Sequence, residues 1–338
     1  MIDAVVAGRG ERMKRRVFVT GLAAAAAVLP RAFAQSTTSV PEVVLFYTGP
    51  VASAELRARL IREDLVSDGL VEGRNFALSM SVAANNEELP KLAQELLLPG
   101  VSVVLAVGPA ALRAAHAATT KIPIVALDLE TDPVKTGMAA SLARPGGNIT
   151  GLFFDFPEFS GKLLELLLEA SPGLLRIAAL WDPASGPVQI EAARAAAASR
   201  NMKLQTLEID DLAKLSDAFA AAEQEQAQGL LVLSSPLFSS ISGIKPVAEG
   251  AASHKLPGIT LFPEFAKSGG LMGYGPSVDD LYHQAGALVA KILRGEKPAD
   301  LPLERPSRYR LVINLKAARA LGLALPASLV ARADDVIE

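Results

Sequence analysis

After Pro41 the chain alternates between two spacings of apolar residues. Short runs rich in β-branched and aromatic residues read as strands: VVLFY (43–47), NFALSMSV (75–82), VSVVLAVG (101–108) and IPIVALD (122–128). Between them lie segments whose apolar residues recur every three or four positions. The first is 52–70, with Leu56, Leu60, Ile61 and Leu65 on one face; 86–98 and 109–119 follow. Strands of this kind separated by amphipathic helices predict βαβ units and parallel sheet covered on both faces.

The alternation restarts at residue 159. A helix over 159–171 leads to strand 176–181, helix 187–200, strand 203–209, helix 212–226 and strand 229–235. A helical stretch near 242–255 then leads to strand 257–262. The two halves close alike. KIPIVAL is followed by RPGGNITGL, and HKLPGITLF by SGGLMGYG. Each is a Lys-x-Pro strand, an excursion, a Gly-Gly turn and another short strand, which reads as an internal repeat. The predicted class is α/β, with two lobes; one long doubly wound domain is the alternative. A long amphipathic helix (277–294), a Pro-rich link and a strand (309–315) complete the chain. Gly146-Gly147 precedes a strand instead of opening a helix. It therefore reads as a turn into a strand that passes between lobes, and not as a phosphate loop.

Residues 1–34 follow another pattern. Lys14, Arg15 and Arg16 precede an apolar run, Val17 to Leu29, and Ala32-Phe33-Ala34 supplies an A-x-A site. This layout predicts a secretory signal peptide cleaved near Ala34, with a periplasmic product; RRVFV also fits a loose twin-arginine pattern. Met13 reads as the true start. Without this segment the chain holds 27 basic and 34 acidic side chains, a net charge of −7, which argues against a nucleic-acid partner. There is no cysteine, hence no disulfide and no thiolate chemistry. His116, His254 and His283 share no ligand spacing. No G-x-S-x-G, H-E-x-x-H or P-loop string occurs. The expectation is a protein that is not an enzyme and has no metal or cofactor.

In open parallel sheets, ligands sit beyond the carboxyl ends of the strands, where following helices point their N-termini. In the first half those ends offer Tyr47, Thr48 and Gly49, then Gly108, Pro109 and Ala110, then Asp128 and Asp132. VGPAALR suits a carboxylate, because glycine permits close approach and Pro109 opens the helix. The second half offers Trp181, Asp182 and Ser185, then Ser234 and Ser235, then Phe262 and Glu264. A lone Trp beside an acid suits an ammonium or an aromatic ring. It equally suits a ring capping the core and an acid capping the next helix.

The tail PSRYRLVINLKAARALGLALPASLVARADDVIE resembles the C-terminal signature of ABC transporter substrate-binding proteins of the tryptophan/tyrosine type. LARPGGNITGL, SGGLMGYGPSVDDLYHQAG and ILRGEKPADLPLERP resemble the same family, in order, over most of residues 40–338. The resemblance implies a type I periplasmic-binding-protein fold: two Rossmann-like lobes, three crossovers forming a multi-strand hinge, and a small molecule held between them. An amino acid, aromatic ones included, is the implied ligand. The family's Tyr soon after the strand at 257–261 is replaced by Phe262 nearby. The implied partner is a membrane permease, with the binding protein a monomer. Residues 40–152 plus about 275–305 are expected to form one lobe, and 153–274 plus about 306–338 the other. Gly151, Phe154, Asp155, Gly273 and Gly275 are the expected hinge positions. An exported α/β enzyme and a receptor's ligand-sensing domain are the rival readings of the same pattern.

Overall fold

The computed structural model describes residues 40–128, 133–154 and 156–338. The predicted signal segment and Asp155 lie outside them. In chain order the first half runs β1 (Glu42–Thr48), α1 (Val51–Ser67), β2 (Ala77–Ala83), α2 (Leu89–Glu95), β3 (Val101–Val107), α3 (Pro109–Ala118), β4 (Ile124–Asp128) and β5 (Ile149–Phe153). Then come α4 (Phe156–Ala170), β6 (Arg176–Trp181), α5 (Val188–Ala198), β7 (Lys203–Glu208), α6 (Leu215–Gln224) and β8 (Gly229–Val232). They are followed by α7 (Pro236–Ser239), α8 (Ile241–Ser253), β9 (Gly258–Thr260), α9 (Glu264–Lys267) and β10 (Met272–Gly275). The chain ends with α10 (Val278–Leu293), β11 (Leu303–Glu304), β12 (Arg310–Asn314), α11 (Leu315–Ala320), α12 (Ala327–Val330) and β13 (Asp335–Ile337).

The strands form two sheets, ordered β11-β5-β4-β3-β1-β2 and β13-β12-β10-β9-β8-β6-β7. Both faces of each sheet are covered, as the unbroken apolar strands require. In β1, Val43, Leu45 and Tyr47 pack with Leu281, Leu288 and Val289 of α10, whereas Val44 and Phe46 pack with Leu89 of α2 and Leu112 of α3. In β6, Ile177 and Ala179 face α4 and α5, and Ala178 and Leu180 face α6 and α8. The two-residue period of a strand thus sends alternate side chains into separate cores.

The chain passes between the sheets three times, after β5, after β10 and after β11. Two strands, β12 and the β13 that pairs parallel with it, run against the expected parallel direction. β12 runs antiparallel to β10, pairing Gly275 with Arg310 and Met272 with Ile313. The reason is the path: β10 leaves its sheet at the crossing, and β12 re-enters from that same end. Aromatic rings from the crossings gather there. Phe154 and Phe159 lie 5.3 Å apart edge to face, Phe159 and Tyr309 are 5.3 Å apart, and Tyr274 stacks on Tyr309 at 6.3 Å.

The glycines singled out at the crossings serve close approach. A Cβ on Gly151, which has φ +143°, would lie 2.1 Å from the Ala126 carbonyl oxygen in the adjacent strand. On Gly275 it would lie 2.0 Å from Leu261 O, and on Gly273 2.4 Å from Phe262 O.

Candidate functional site

The carboxyl ends of the two sheets face each other, and they touch. A Cβ on Gly108 would meet Pro236 Cγ at 3.4 Å, and the Arg113 guanidinium donates to the Ala184 carbonyl at 3.5 Å. Two hollows share Val107, Gly108 and Pro236 as a common wall. The outer one is an open cleft of about 610 Å³, reached by Thr48, Gly49, Pro109, Ala110, Asp182 and Ser185. The inner one has room for about one water, 30 Å³. Its walls are Leu127, Phe262, Val278 and Leu281, with Arg57, Ser234, Ser235 and Tyr282 as polar groups.

On the first sheet, α3 begins at Gly108, whose φ of +85° is readily adopted by glycine and strained for other residues. Pro109 supplies the first helical position, and no side chain caps this N-terminus. Its first-turn N–H groups therefore favour a negative charge at the cleft. Gly49 is fixed by contact: a Cβ there would lie 2.6 Å from the Tyr47 hydroxyl. Asp128 closes β4, and Asp132 lies outside the described residues.

On the second sheet, Asp182 is 7 % exposed. Its Oδ1 accepts from the Ala184 N–H (2.9 Å) and its Oδ2 from Ser235 Oγ (2.7 Å). Burial pushes its carboxyl up; the Ser235 and Ala184 donors pull it down, and nearby Asp210 pushes it up further. Asp210 and Asp211 also line the outer cleft on this side, against Lys214, which pairs with Asp210 at 2.6 Å; Glu87, between β2 and α2, reaches the cleft from the first sheet's side. The second sheet's wall is acidic and favours a cation. Ser234 is clamped by Gln189, whose Nε2 donates to Ser234 O and whose Oε1 accepts from Ser234 N, both at 2.7 Å. The clamp holds the backbone and leaves the Ser234 hydroxyl, buried on the inner hollow, without a partner.

Some sequence-predicted residues lie elsewhere. The Trp181 indole N–H donates to Gly186 O at 3.0 Å, and its ring packs on the α4–α5 core; it lines neither hollow. Glu264 sits by the second crossing, where its Oε1 accepts weakly from Val278 N (3.4 Å) and its Oε2 is buried without a partner. Burial raises its carboxyl pKa. Ser185, by contrast, stays at the outer cleft and donates to Ser234 O at 3.4 Å.

Arg57, Tyr282 and Gln189 escape the strand-end argument. Arg57 is on α1 and only 5 % exposed. Its signal was in the helical spacing: it shares the buried face with Ala54, Ala58 and Ile61, an odd place for a charge. Its guanidinium lies 4.7 Å over the Tyr47 ring and 5.8 Å from that of Tyr282. Nη1 donates to Ser53 O at 2.9 Å, and Nε is buried without a partner. Burial pushes the Tyr282 hydroxyl up to about 12, and raises that of Tyr47. Ser53 lies near the Tyr47 hydroxyl, but no well-formed hydrogen bond joins them.

Residues 33–337 match the family described as ABC transporter substrate binding protein. The chain belongs to that family. Its members are substrate-binding proteins and not enzymes, and this chain is one of them. It is 24 % identical over 268 residues to the "Tyrosine-binding protein" of Clostridioides difficile, covering 77 % of this chain and 74 % of the relative. Among solved structures it resembles a domain from Streptococcus pneumoniae determined with L-Trp, at TM-score 0.77 and 23 % identity, over 88 % of this chain and 100 % of that one. It also resembles the leucine-binding protein LivK of Thermotoga maritima, at TM-score 0.52 and 15 % identity, over 77 % of this chain and 78 % of that one. The fold of this substrate-binding protein is α/β, of the type I periplasmic-binding class.

Proposed function

We propose that this substrate-binding protein takes up an aromatic L-amino acid between its sheets, outside the cytoplasm, and presents it to the permease of an ABC importer. The observation that carries this reading is the opposed character of the cleft walls. The uncapped N-terminus of α3 favours a carboxylate, and the buried Asp182 with its acidic neighbours favours an ammonium. Phe262, Leu127 and Leu281 supply apolar surface beside them. The relatives named for tyrosine and solved with L-Trp support the aromatic choice.

A ligand touching both sheets stabilises the closed arrangement by its differential affinity. Movement concentrates at the three crossings, next to Gly151, Phe154, Gly273 and Gly275. A thermal-shift and calorimetric screen of the twenty amino acids tests the reading. L-tryptophan or L-tyrosine is expected to raise stability by about 2.7 kcal/mol at a hundredfold excess over Kd. No shift with any amino acid overturns it. Uptake assays in cells with and without the protein test delivery to the permease.

A further inference from the structure

We infer that Arg57 is the anchor for the ligand's carboxylate, and that the inner hollow is where this carboxylate enters. The inference rests on the amino-acid reading above and names the group that receives one end of that ligand. Arg57 is permanently charged. It is 5 % exposed, and among the described residues no carboxylate pairs with it. Its contacts are the Ser53 carbonyl, the faces of two tyrosine rings and the nearby Tyr282 hydroxyl, none of them an anion, and its Nε has none. A buried charge without a counter-charge is costly, and the ring faces and one carbonyl offset only part of that cost, so this position favours a compensating anion.

The surroundings say where that anion sits. Arg57 borders the inner hollow together with the unpartnered Ser234 hydroxyl, which can donate to an oxyanion. Gly108, the start of α3, forms the wall shared with the outer cleft, so the helix N-terminus adds to the same preference. The two rings hold the guanidinium plane in place, and such a preorganised fork suits a carboxylate. Arg57 belongs to α1 and Ser234 follows β8, so an anion held by both joins the two sheets.

Calorimetry with the full chain tests this. Wild type is expected to bind L-tryptophan far more tightly than L-tryptophanamide, which lacks the carboxylate charge. Arg57→Met is expected to weaken L-tryptophan by roughly a hundredfold, as for removal of one partner of a buried charge pair, and to leave the amide unchanged. Arg57→Lys, which keeps charge but loses the fork, is expected between them. L-tryptophan bound by Arg57→Met as by wild type overturns the inference. If Arg57→Met does not fold, the wild-type comparison decides: amide bound as tightly as acid overturns it. A second arm needs no amino acid. Acetate, against equal chloride, is expected to raise the melting temperature of wild type and not that of Arg57→Met. Equal shifts in both overturn the anchor. An acetate effect confined to wild type, with no amino acid bound, keeps the anchor and overturns only the amino-acid reading.

Discussion

Ser235 Oγ donates to Asp182 Oδ2 at 2.7 Å while accepting from the Leu237 N–H at 2.9 Å. One hydroxyl therefore caps α7 and orients the buried acid of the cleft. The pair ties the residue after β6 to the N-cap of α7, 53 positions apart in sequence.

Asp182→Asn is expected to stabilise the protein at neutral pH and to weaken L-tryptophan at least tenfold, the ordinary trade between a strained binding group and stability. The carboxyl is raised above its unfolded value, so the native state holds the proton more tightly than the unfolded state does. Its contribution is thus favourable only at low pH. Stability is lost as pH rises from the unfolded carboxylate range through the folded pKa. Urea titrations at several pH values are expected to show a shallower decline for Asp182→Asn. An unchanged slope would mean that Asp182 is not raised.

Ser235→Ala removes both roles of the hydroxyl. The lost cap is expected to cost about 1 kcal/mol, measured by denaturant unfolding. The Asp182 carboxyl, without its donor, is expected to rise further, steepening the pH decline that Asp182→Asn flattens.

Gly151→Ala tests the packing of the first sheet at its crossing. The added Cβ would sit 2.1 Å from a strand carbonyl that cannot retreat without breaking the β4–β5 ladder. The expected loss is about 4 kcal/mol or more, read as a large fall in melting temperature or as insoluble protein. A variant of near wild-type stability would show that β5 shifts freely.

Trp181→Phe separates a structural ring from a ligand platform. Losing the indole N–H to Gly186 O is expected to cost about 1 kcal/mol of stability. Affinity for L-tryptophan is expected to stay within about threefold, less than 1 kcal/mol. A tenfold loss would bring the ring into the site after all.

The sequence by itself determined the alternating α/β body, the repeat and the family. These are written in local spacing and in strings such as LARPGGNITGL, and local period is what backbone geometry imposes on a chain. It also pointed to strand ends, Gly108, Asp182 and Ser234 among them, and these line the two hollows between the sheets. Only the tertiary structure decided which of these side chains meet. Trp181 and Asp182 are neighbours in sequence, yet the pleat sends the ring to the α4–α5 core and leaves the acid at the cleft. The helical spacing puts Arg57 on the face of Ala54, Ala58 and Ile61, but only the packing of α1, α10 and β1 shows it buried between two tyrosine rings. The direction of β12 follows from a crossing, which no local period records. Burial and pairing belong to contacts between residues far apart in the chain, and these exist only once the sheets and their helices have come together.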